Sequence, residues 1–290
     1  MKNAGSLSKV SDGGASYIGE KVKKLDVISN EVLNHFLRSS GKVCVIATEE
    51  EDEPIVCNRN APFVVVHDPL DGSSNIEAGI PVGTIIGVYR NLFPDDPKAN
   101  AMQKGQALVA SCYALYSSST QLVVSWKGGG THCFTLDSES GDFVLTHRKM
   151  RMPPSGASYS VNDGRYADWP QGLQRYIDTV RKGEGRTGRV YRPCYICSLI
   201  ADVHYTLLHG GVAMNPRRHL RLVYEANPVA LIVENAGGRA SAGATRILDI
   251  QPEKLHHRLP VFVGSSEDMA ELESFGQVQQ LGDFAYTAVN

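Results

Sequence analysis

Val22, Leu25, Ile28, Val32 and, with one slip, Leu37 recur at a spacing of three to four residues, which predicts a helix beginning at Glu20. Lys42–Thr48 (KVCVIAT), Phe63–His67 (FVVVH) and Thr84–Tyr89 (TIIGVY) are β-branched apolar runs, the pattern of buried strands. Further strands are predicted over Ala107–Leu115, Gln121–Ser125, Thr131–Thr135 and Phe143–Thr146, with a turn at Lys127–Gly130. Around Met150–Gly156 two prolines interrupt the pattern, which places a domain boundary there and divides the chain into 1–150 and 151–290. Beyond it, helices are predicted over Leu173–Val180, Ser198–Leu208 and Asn227–Ala236, the last stopped by Gly237-Gly238, with a late strand at Leu259–Val263. The mixture predicts layered α/β sheets.

Composition narrows the function classes. The 290 residues are 42% hydrophobic and carry 29 Lys plus Arg against 31 Asp plus Glu, a net charge of −2. That balance lacks the basic excess a nucleic-acid backbone demands, so no nucleic-acid partner is expected. No apolar run approaches the length that spans a bilayer, and no membrane partner or secretory leader is expected. Six cysteines are too few for a disulfide scaffold, so reduced thiols in a cytoplasmic setting are expected.

Candidate chemistry concentrates in Asp68-Pro69-Leu70-Asp71-Gly72-Ser73-Ser74-Asn75, directly after the FVVV strand. Pro69 cannot donate to a sheet ladder, so the strand is expected to end near Asp68. Two carboxylates are then held at a strand's carboxyl end beside a Gly-Ser-Ser turn that suits an anionic phosphate. Carboxylate and phosphate repel each other unless divalent cations lie between them. As a plain surface feature the same stretch would be an acidic turn with a capping serine. Glu49 and Glu50 close the preceding strand, Glu20 and Asp26 lie on the early helix, and Glu225 interrupts an apolar run. Two unit charges about 4 Å apart at an effective dielectric near 20 repel by roughly 4 kcal/mol, so convergence of these acids would require bound cations. Every candidate ligand is an oxygen, which favours Mg²⁺, with Mn²⁺ as the alternative, over Zn²⁺.

Three stretches, GEKVKKLDVISNE, DPLDGSSNIEAGIPVGTIIGVYR and LRLVYEANPVALIVENAGG, resemble the fructose-1,6-bisphosphatase/sedoheptulose-1,7-bisphosphatase family. The resemblance runs from about Gly19 to about Asp268. It implies a layered α-β-α-β-α fold with two sheets, an N-terminal metal-bearing phosphatase domain and a C-terminal sugar-phosphate domain. It also implies a homodimer or homotetramer acting on a small sugar bisphosphate. Glu20, Glu49, Glu50, Asp68, the Leu70 carbonyl, Asp71 and Glu225 match the metal ligands. Asp26, Glu50 and Asp71 match the catalytic acids, and Gly72, Ser73 and Ser74 the turn that holds the phosphate being cleaved. The implied reaction is metal-assisted attack of water on the C1 phosphate.

Several stretches resemble the seven-carbon branch more closely: Tyr116–Ser119, Gly141–Thr146, Asn162–Tyr166 with Trp169, and Arg246–Pro252. Sedoheptulose 1,7-bisphosphate is therefore the expected substrate, with fructose 1,6-bisphosphate as the alternative. Inositol-phosphate hydrolysis shares only the DPxDG metal logic, and a non-catalytic sugar-phosphate sensor is the reading from a different class. Asn162, Tyr166, Arg192, Tyr195, His219 and Arg221 are the expected contacts to the sugar and its distal phosphate. The family's ARYxGS reads Pro193-Cys194-Tyr195-Ile196-Cys197-Ser198, and the later loop carries Asn215 for a Tyr and His219 for a Lys. Cys194 and Cys197 form a lone CxxC, expected to be reduced thiols filling small buried positions rather than a zinc or redox site. The Lys-Tyr pair that precedes the FVVV strand in the family reads Pro62-Phe63, and AMP inhibition is expected to be absent. A plastid remains open as the compartment.

Overall fold

The structure, a computed structural model, describes residues 16–280, with side chains from Leu25 onward. An eight-stranded sheet uses β1 (Val43–Thr48), β2 (Ile55–Val56), β3 (Phe63–Asp71), β4 (Val82–Arg90), β5 (Ala110–Tyr116), β6 (Thr120–Trp126), β7 (Gly130–Leu136) and β8 (Phe143–Met150). Its order is β2-β1-β3-β4-β5-β6-β7-β8, and only β1 and β3 run parallel. A five-stranded sheet follows, with β9 (Ser158–Ser160), β10 (Arg192–Pro193), β11 (Val212–Arg221), β12 (Arg239–Ser241) and β13 (Arg258–Gly264) in the order β10-β9-β11-β13-β12. The helices are α1 (Ser16–Ser39), α2 (Pro97–Ala101), α3 (Gln171–Lys182), α4 (Leu199–His209), α5 (Asn227–Asn235) and α6 (Ser266–Ser274).

α1 packs on β1 and β3, α4 and α5 lie between the two sheets, and α6 covers β12 and β13, which makes the layered α-β-α-β-α arrangement. The main apolar core draws on both sheets and on α4 and α5, from Cys44 and Val66 through Ile200 and Val229 to Val263. A second cluster beneath α3 and α6 holds Trp169 with Tyr176, Phe262 and Met269, so that tryptophan is a packing residue. His204, on α4, is buried and shares a 2.7 Å hydrogen bond with the Tyr113 hydroxyl.

Two local predictions change. The helix begins at Ser16, ahead of Glu20, and its apolar stripe faces the sheet only in part: Leu37 packs against Val43, Ile46 and Val65, whereas Ile28 and Val32 are 52% and 50% exposed. Asn30 and Asn34 are the buried positions instead. β1 and β3 present Thr48 and His67 to the middle of this helix, so the complementary positions there are polar. Thr48 Oγ1 donates to Asn30 Oδ1 at 2.8 Å, and His67 Nε2 meets Asn34 Oδ1 at 3.0 Å. The second change is in β3, which does not stop at Asp68. It runs through Pro69 to Asp71, with its register against β4 shifted between Asp68 and Asp71. The missing N–H of Pro69 falls inside that irregularity, where side chains replace ladder bonds. Leu70 N donates to Asp68 Oδ1 at 2.9 Å, and Thr84 Oγ1 donates to the Pro69 carbonyl at 2.9 Å.

One glycine carries a measurable constraint. Gly211 opens β11 at φ 97°, and a Cβ there would stand 2.1 Å from the Ser158 carbonyl oxygen of the neighbouring strand. Gly211→Ala combines a disfavoured backbone with a clash against main chain and is expected to cost about 3 kcal/mol. The shift of the urea midpoint checks it.

Candidate active site

The site forms where β1, β3 and β11 end together. β1 runs out at Thr48 and leaves Glu49 and Glu50 beside β3, with Glu49 N donating to the His67 carbonyl at 3.1 Å. The irregularity in β3 turns both Asp68 and Asp71 inward, where they are 2% and 7% exposed. Gly72 then takes φ 76°, a left-handed turn that glycine makes without strain, and Ser73–Asn75 follow as a single 3-10 turn.

Glu225 arrives from the far side. Leu222–Ala226, between β11 and α5, winds as a π-turn, a wider coil often found at functional positions. This coil lets a carboxylate leave an otherwise apolar run and point into the cavity, with Glu225 Oε2 accepting from Arg221 N. Carboxylate oxygens of Glu49, Asp68 and Glu225 all lie within 4.8 Å of one another. Burial, reinforced by neighbouring carboxylates, raises the acids: Asp71 to about 7, Glu225 to about 8, and Asp68 well above the usual carboxylate range. Arg221 pairs with Glu49, and Ile200 N at the start of α4 donates to Asp71 Oδ2 at 3.2 Å. These partners do not satisfy the cluster, because Asp68 Oδ2 is buried with no hydrogen-bond partner. A buried, partnerless carboxylate oxygen in an all-oxygen donor set fits a hard divalent cation.

Asp26 and Glu50 stand one step outward. The Ser73 hydroxyl donates to Asp26, and Asp26 and Glu50 feel each other and Glu49. Partial burial first, and then these like charges, push both carboxyls up from their ordinary values. Raised carboxylates beside a metal cradle are suited to holding the proton of an attacking water.

A set of basic side chains lines the same cavity of about 550 Å³ as the acids. Arg217, His219 and Arg221 alternate along β11, and all three line the cavity. The β11–β13 register sets Arg258 directly opposite Arg221, and Arg258 also lines it. Two like charges facing each other across strands repel, and the Glu49 carboxylate offsets this by pairing with Arg221. Burial and then Arg217, Arg258 and Arg221 push the His219 imidazole below its ordinary value, so it stands there as a neutral hydrogen-bonding group where the resembling family has a Lys.

The cavity therefore gathers Glu49, Glu50, Asp68, Leu70, Asp71, Gly72, Ser73, Ser74, Tyr195, His219, Arg221 and Glu225. Asp26 joins it through Ser73. Asn162 lines a smaller recess that shares Tyr195 and Arg217 with it. Two expected contacts lie elsewhere. The Tyr166 hydroxyl donates to Asp178 Oδ2 at 2.7 Å and its ring packs on the second core. Arg192 donates to the Tyr205 hydroxyl and lies over that ring. In each case a neighbouring side chain satisfies the polar group. The Glu20 side chain lies outside the described residues. Cys194 and Cys197 also depart from expectation: Cys194 is half-buried and Cys197 exposed at the cavity wall, because the segment curls over the surface before α4 begins.

Sequence reasoning missed Arg258 and Asp202. Arg258 reaches the site through strand register alone. Asp202 is buried on α4 and accepts Ser160 Oγ at 2.6 Å and Ile196 N at 2.9 Å. An acid among the apolar residues of a helix was the available signal for it.

An all-oxygen cradle and a set of arginines lining one cavity make the site of a phosphoric monoester hydrolase, and here of a sugar bisphosphatase. Residues 3–148 match the family model described as fructose-1-6-bisphosphatase, N-terminal domain, and residues 152–277 the one described as its C-terminal domain. The chain is 43% identical over 286 residues to the chloroplastic fructose-1,6-bisphosphatase of Brassica napus, covering 91% of this chain and 69% of that protein. It is 43% identical over 287 residues to the chloroplastic fructose-1,6-bisphosphatase 1 of Arabidopsis thaliana, covering 91% and 68%. Fructose-1,6-bisphosphatase of Leishmania major in holo form superposes with a TM-score of 0.81 at 39% identity, covering 87% of this chain and 81% of that one. Its T-state structure gives 0.82 at 38%, covering 94% and 87%. The chain belongs to the fructose-1,6-bisphosphatase family.

Proposed function

We propose that the chain hydrolyses the C1 phosphate of fructose 1,6-bisphosphate to fructose 6-phosphate and phosphate. The observation that carries this is one cavity lined both by Glu49, Asp68 and Glu225 and by Arg217, Arg221 and Arg258. The acids would take a metal-bound phosphate, and Arg217 and Arg258 a second anion. Glu49, Glu50, Asp68, the Leu70 carbonyl, Asp71 and Glu225 would hold Mg²⁺, with Mn²⁺ as the alternative. When bound, the ions supply charge neutralisation at the phosphate and a lowered pKa for water. Gly72–Ser74 receive the phosphate at the turn. Glu50, with Asp26, orients the attacking water and takes up its proton. The cations of β11 and β13 hold the distal phosphate, so the sugar lies across the cavity with C1 at the acids.

The relatives named above are fructose-1,6-bisphosphatases, which favours the six-carbon sugar over the seven-carbon one expected from sequence. Tyr116–Ser119, Gly141–Thr146 and Arg246–Pro252, which carried much of that expectation, do not line the cavity. We further propose the division into residues 1–150 for the metal cradle and 151–290 for the sugar-phosphate wall. Self-association as a homodimer or homotetramer is supported by the exposed Val27, Ile28, Val32 and Phe36 on α1. No helix among the described residues is long and apolar enough to cross a membrane. The plant relatives are named as chloroplastic, so a plastid stands beside the cytoplasm as a compartment.

Phosphate release from fructose 1,6-bisphosphate and sedoheptulose 1,7-bisphosphate, side by side with Mg²⁺ and then with EDTA, tests the reading. The six-carbon sugar is expected to give the higher kcat/KM, and EDTA to stop both reactions. A higher kcat/KM for the seven-carbon sugar would overturn the substrate and keep the chemistry. Binding without release from either would favour a sensor.

A further inference from the structure

Tyr195, Asn215 and Arg217 line both the main cavity and a smaller recess of about 40 Å³, whose wall also includes Asn162, Arg165 and Gln280. A space of that size admits a water-sized group and no sugar ring. Gln280 comes from the segment after α6. Val278 is buried in the second core with Trp169, and Gln280 N donates to the Pro216 carbonyl on β11 at 2.7 Å. The chain is thereby held at residues 278 and 280, and packing delivers the Gln280 side chain to the recess.

That side chain is 4% exposed, and neither its Oε1 nor its Nε2 has a hydrogen-bond partner. A buried amide without partners forfeits its bonds to water and gains none from the protein, which destabilises the fold. Leucine would fill the same place without that cost. Asp68 Oδ2 shows the same signature at the metal cradle, a buried polar atom that a ligand would satisfy. Gln280 also stands beyond residues 152–277, the span matching the family's C-terminal domain, so that pattern assigns it no role.

The neighbours decide what the amide meets. Arg217 on the shared wall and Arg165 in the recess favour an anion, and Nε2 has two N–H groups to offer it. We propose that Gln280 is a specificity-determining residue for the distal phosphate of the substrate, with Nε2 donating to one phosphate oxygen at the mouth of the recess. Oε1, the end an anion does not use, accepts from the Asn215 amide on the same wall. The phosphate itself stays in the cavity at Arg217. An uncharged donor adds direction to the attraction the arginines supply, because an amide N–H bonds only an oxygen lying along it. Gln280 thereby separates sugar bisphosphates from sugars phosphorylated at C1 alone, and takes no part in the chemistry at C1. The substrate named here rests on the bisphosphatase reading, whereas binding of a sugar phosphate at the recess does not.

Gln280→Leu in the full chain tests this, because leucine keeps the volume and removes both polar atoms. KM for fructose 1,6-bisphosphate is expected to rise about tenfold with kcat little changed, and calorimetric binding of fructose 6-phosphate to weaken by about the same factor. The kcat/KM for fructose 1-phosphate, which places nothing at the recess, should stay within about twofold. The ligand-free variant should melt no lower than the parent, since an unpartnered buried amide has gone. A residue that merely held the fold would instead lower Tm and cost both substrates equally. Gln280→Glu, similar in shape but anionic, should weaken fructose 6-phosphate binding more than leucine does, and it carries the test if the leucine variant does not fold. Unchanged fructose 6-phosphate binding and KM, or equal losses on the two fructose phosphate substrates, would overturn the proposal. A chain that binds fructose 6-phosphate through Gln280 but hydrolyses no sugar bisphosphate would refute the activity reading and leave this contact standing.

Discussion

Asp71→Asn will lower kcat for phosphate release by about 10³-fold or more while the protein still folds, the scale expected when a preorganised electrostatic group at the reacting phosphate is removed. Asn keeps the oxygen that accepts from Ile200 N at 3.2 Å, so the start of α4 retains its anchor. What disappears is a carboxylate buried beside Glu49 and Glu225, and with it part of the charge that attracts a divalent cation. Single-turnover phosphate release measures the effect, and a melting curve on the same sample verifies the fold. Near-normal turnover in the variant would remove Asp71 from the catalytic set. In a sensor, the substitution would alter ligand binding with no turnover to lose.

The second large effect concerns stability without metal. Asp71 and Glu225 ionise near pH 7 and 8 in the folded protein, well above ordinary carboxylates, because burial and their neighbours penalise the charged form. Between an unfolded value near pH 4 and these folded values, the native state binds more protons than the unfolded chain. Stability from these groups is therefore complete below about pH 4 and is lost as pH rises through about 7 to 8. The EDTA-treated protein should melt progressively lower from pH 5 to pH 8.5. Mg²⁺ requires the ionised form and should reverse the trend. At about a hundredfold above its dissociation constant it adds roughly 2.7 kcal/mol, or about 5–10 °C in Tm. A metal-free Tm that climbs across this range would contradict the buried acid cluster.

The parts of the site that were legible in sequence are those written contiguously. Asp68 to Ser74 run from the end of one strand into its turn, and Glu49 and Glu50 follow another, so strand termini place them with little help from the rest of the chain. Glu225 showed as a charge inside an apolar run, although nothing local indicates the π-turn that turns it inward. Arg258 was not legible, because its place depends on pairing with Arg221 across two strands distant in sequence. Tyr166 and Arg192 show the converse: their neighbourhood was right, but Asp178 and Tyr205 hold their polar ends. Periodicity located α1 and placed Leu37 on the sheet, but misjudged Ile28 and Val32, because β1 and β3 present Thr48 and His67 to the middle of the helix.

That polar contact has a consequence for catalysis. Asp26, Asn30 and Asn34 follow one another at intervals of four, which places them in a single row along α1. An oily helix face can slip or roll against a sheet at small cost, since dispersion and burial are indifferent to small offsets. Hydrogen bonds at Asn30 and Asn34 close at one axial height and one rotation only. The row acts as a ruler with two engaged teeth, and the third mark on it is the Asp26 carboxylate, delivered to Ser73.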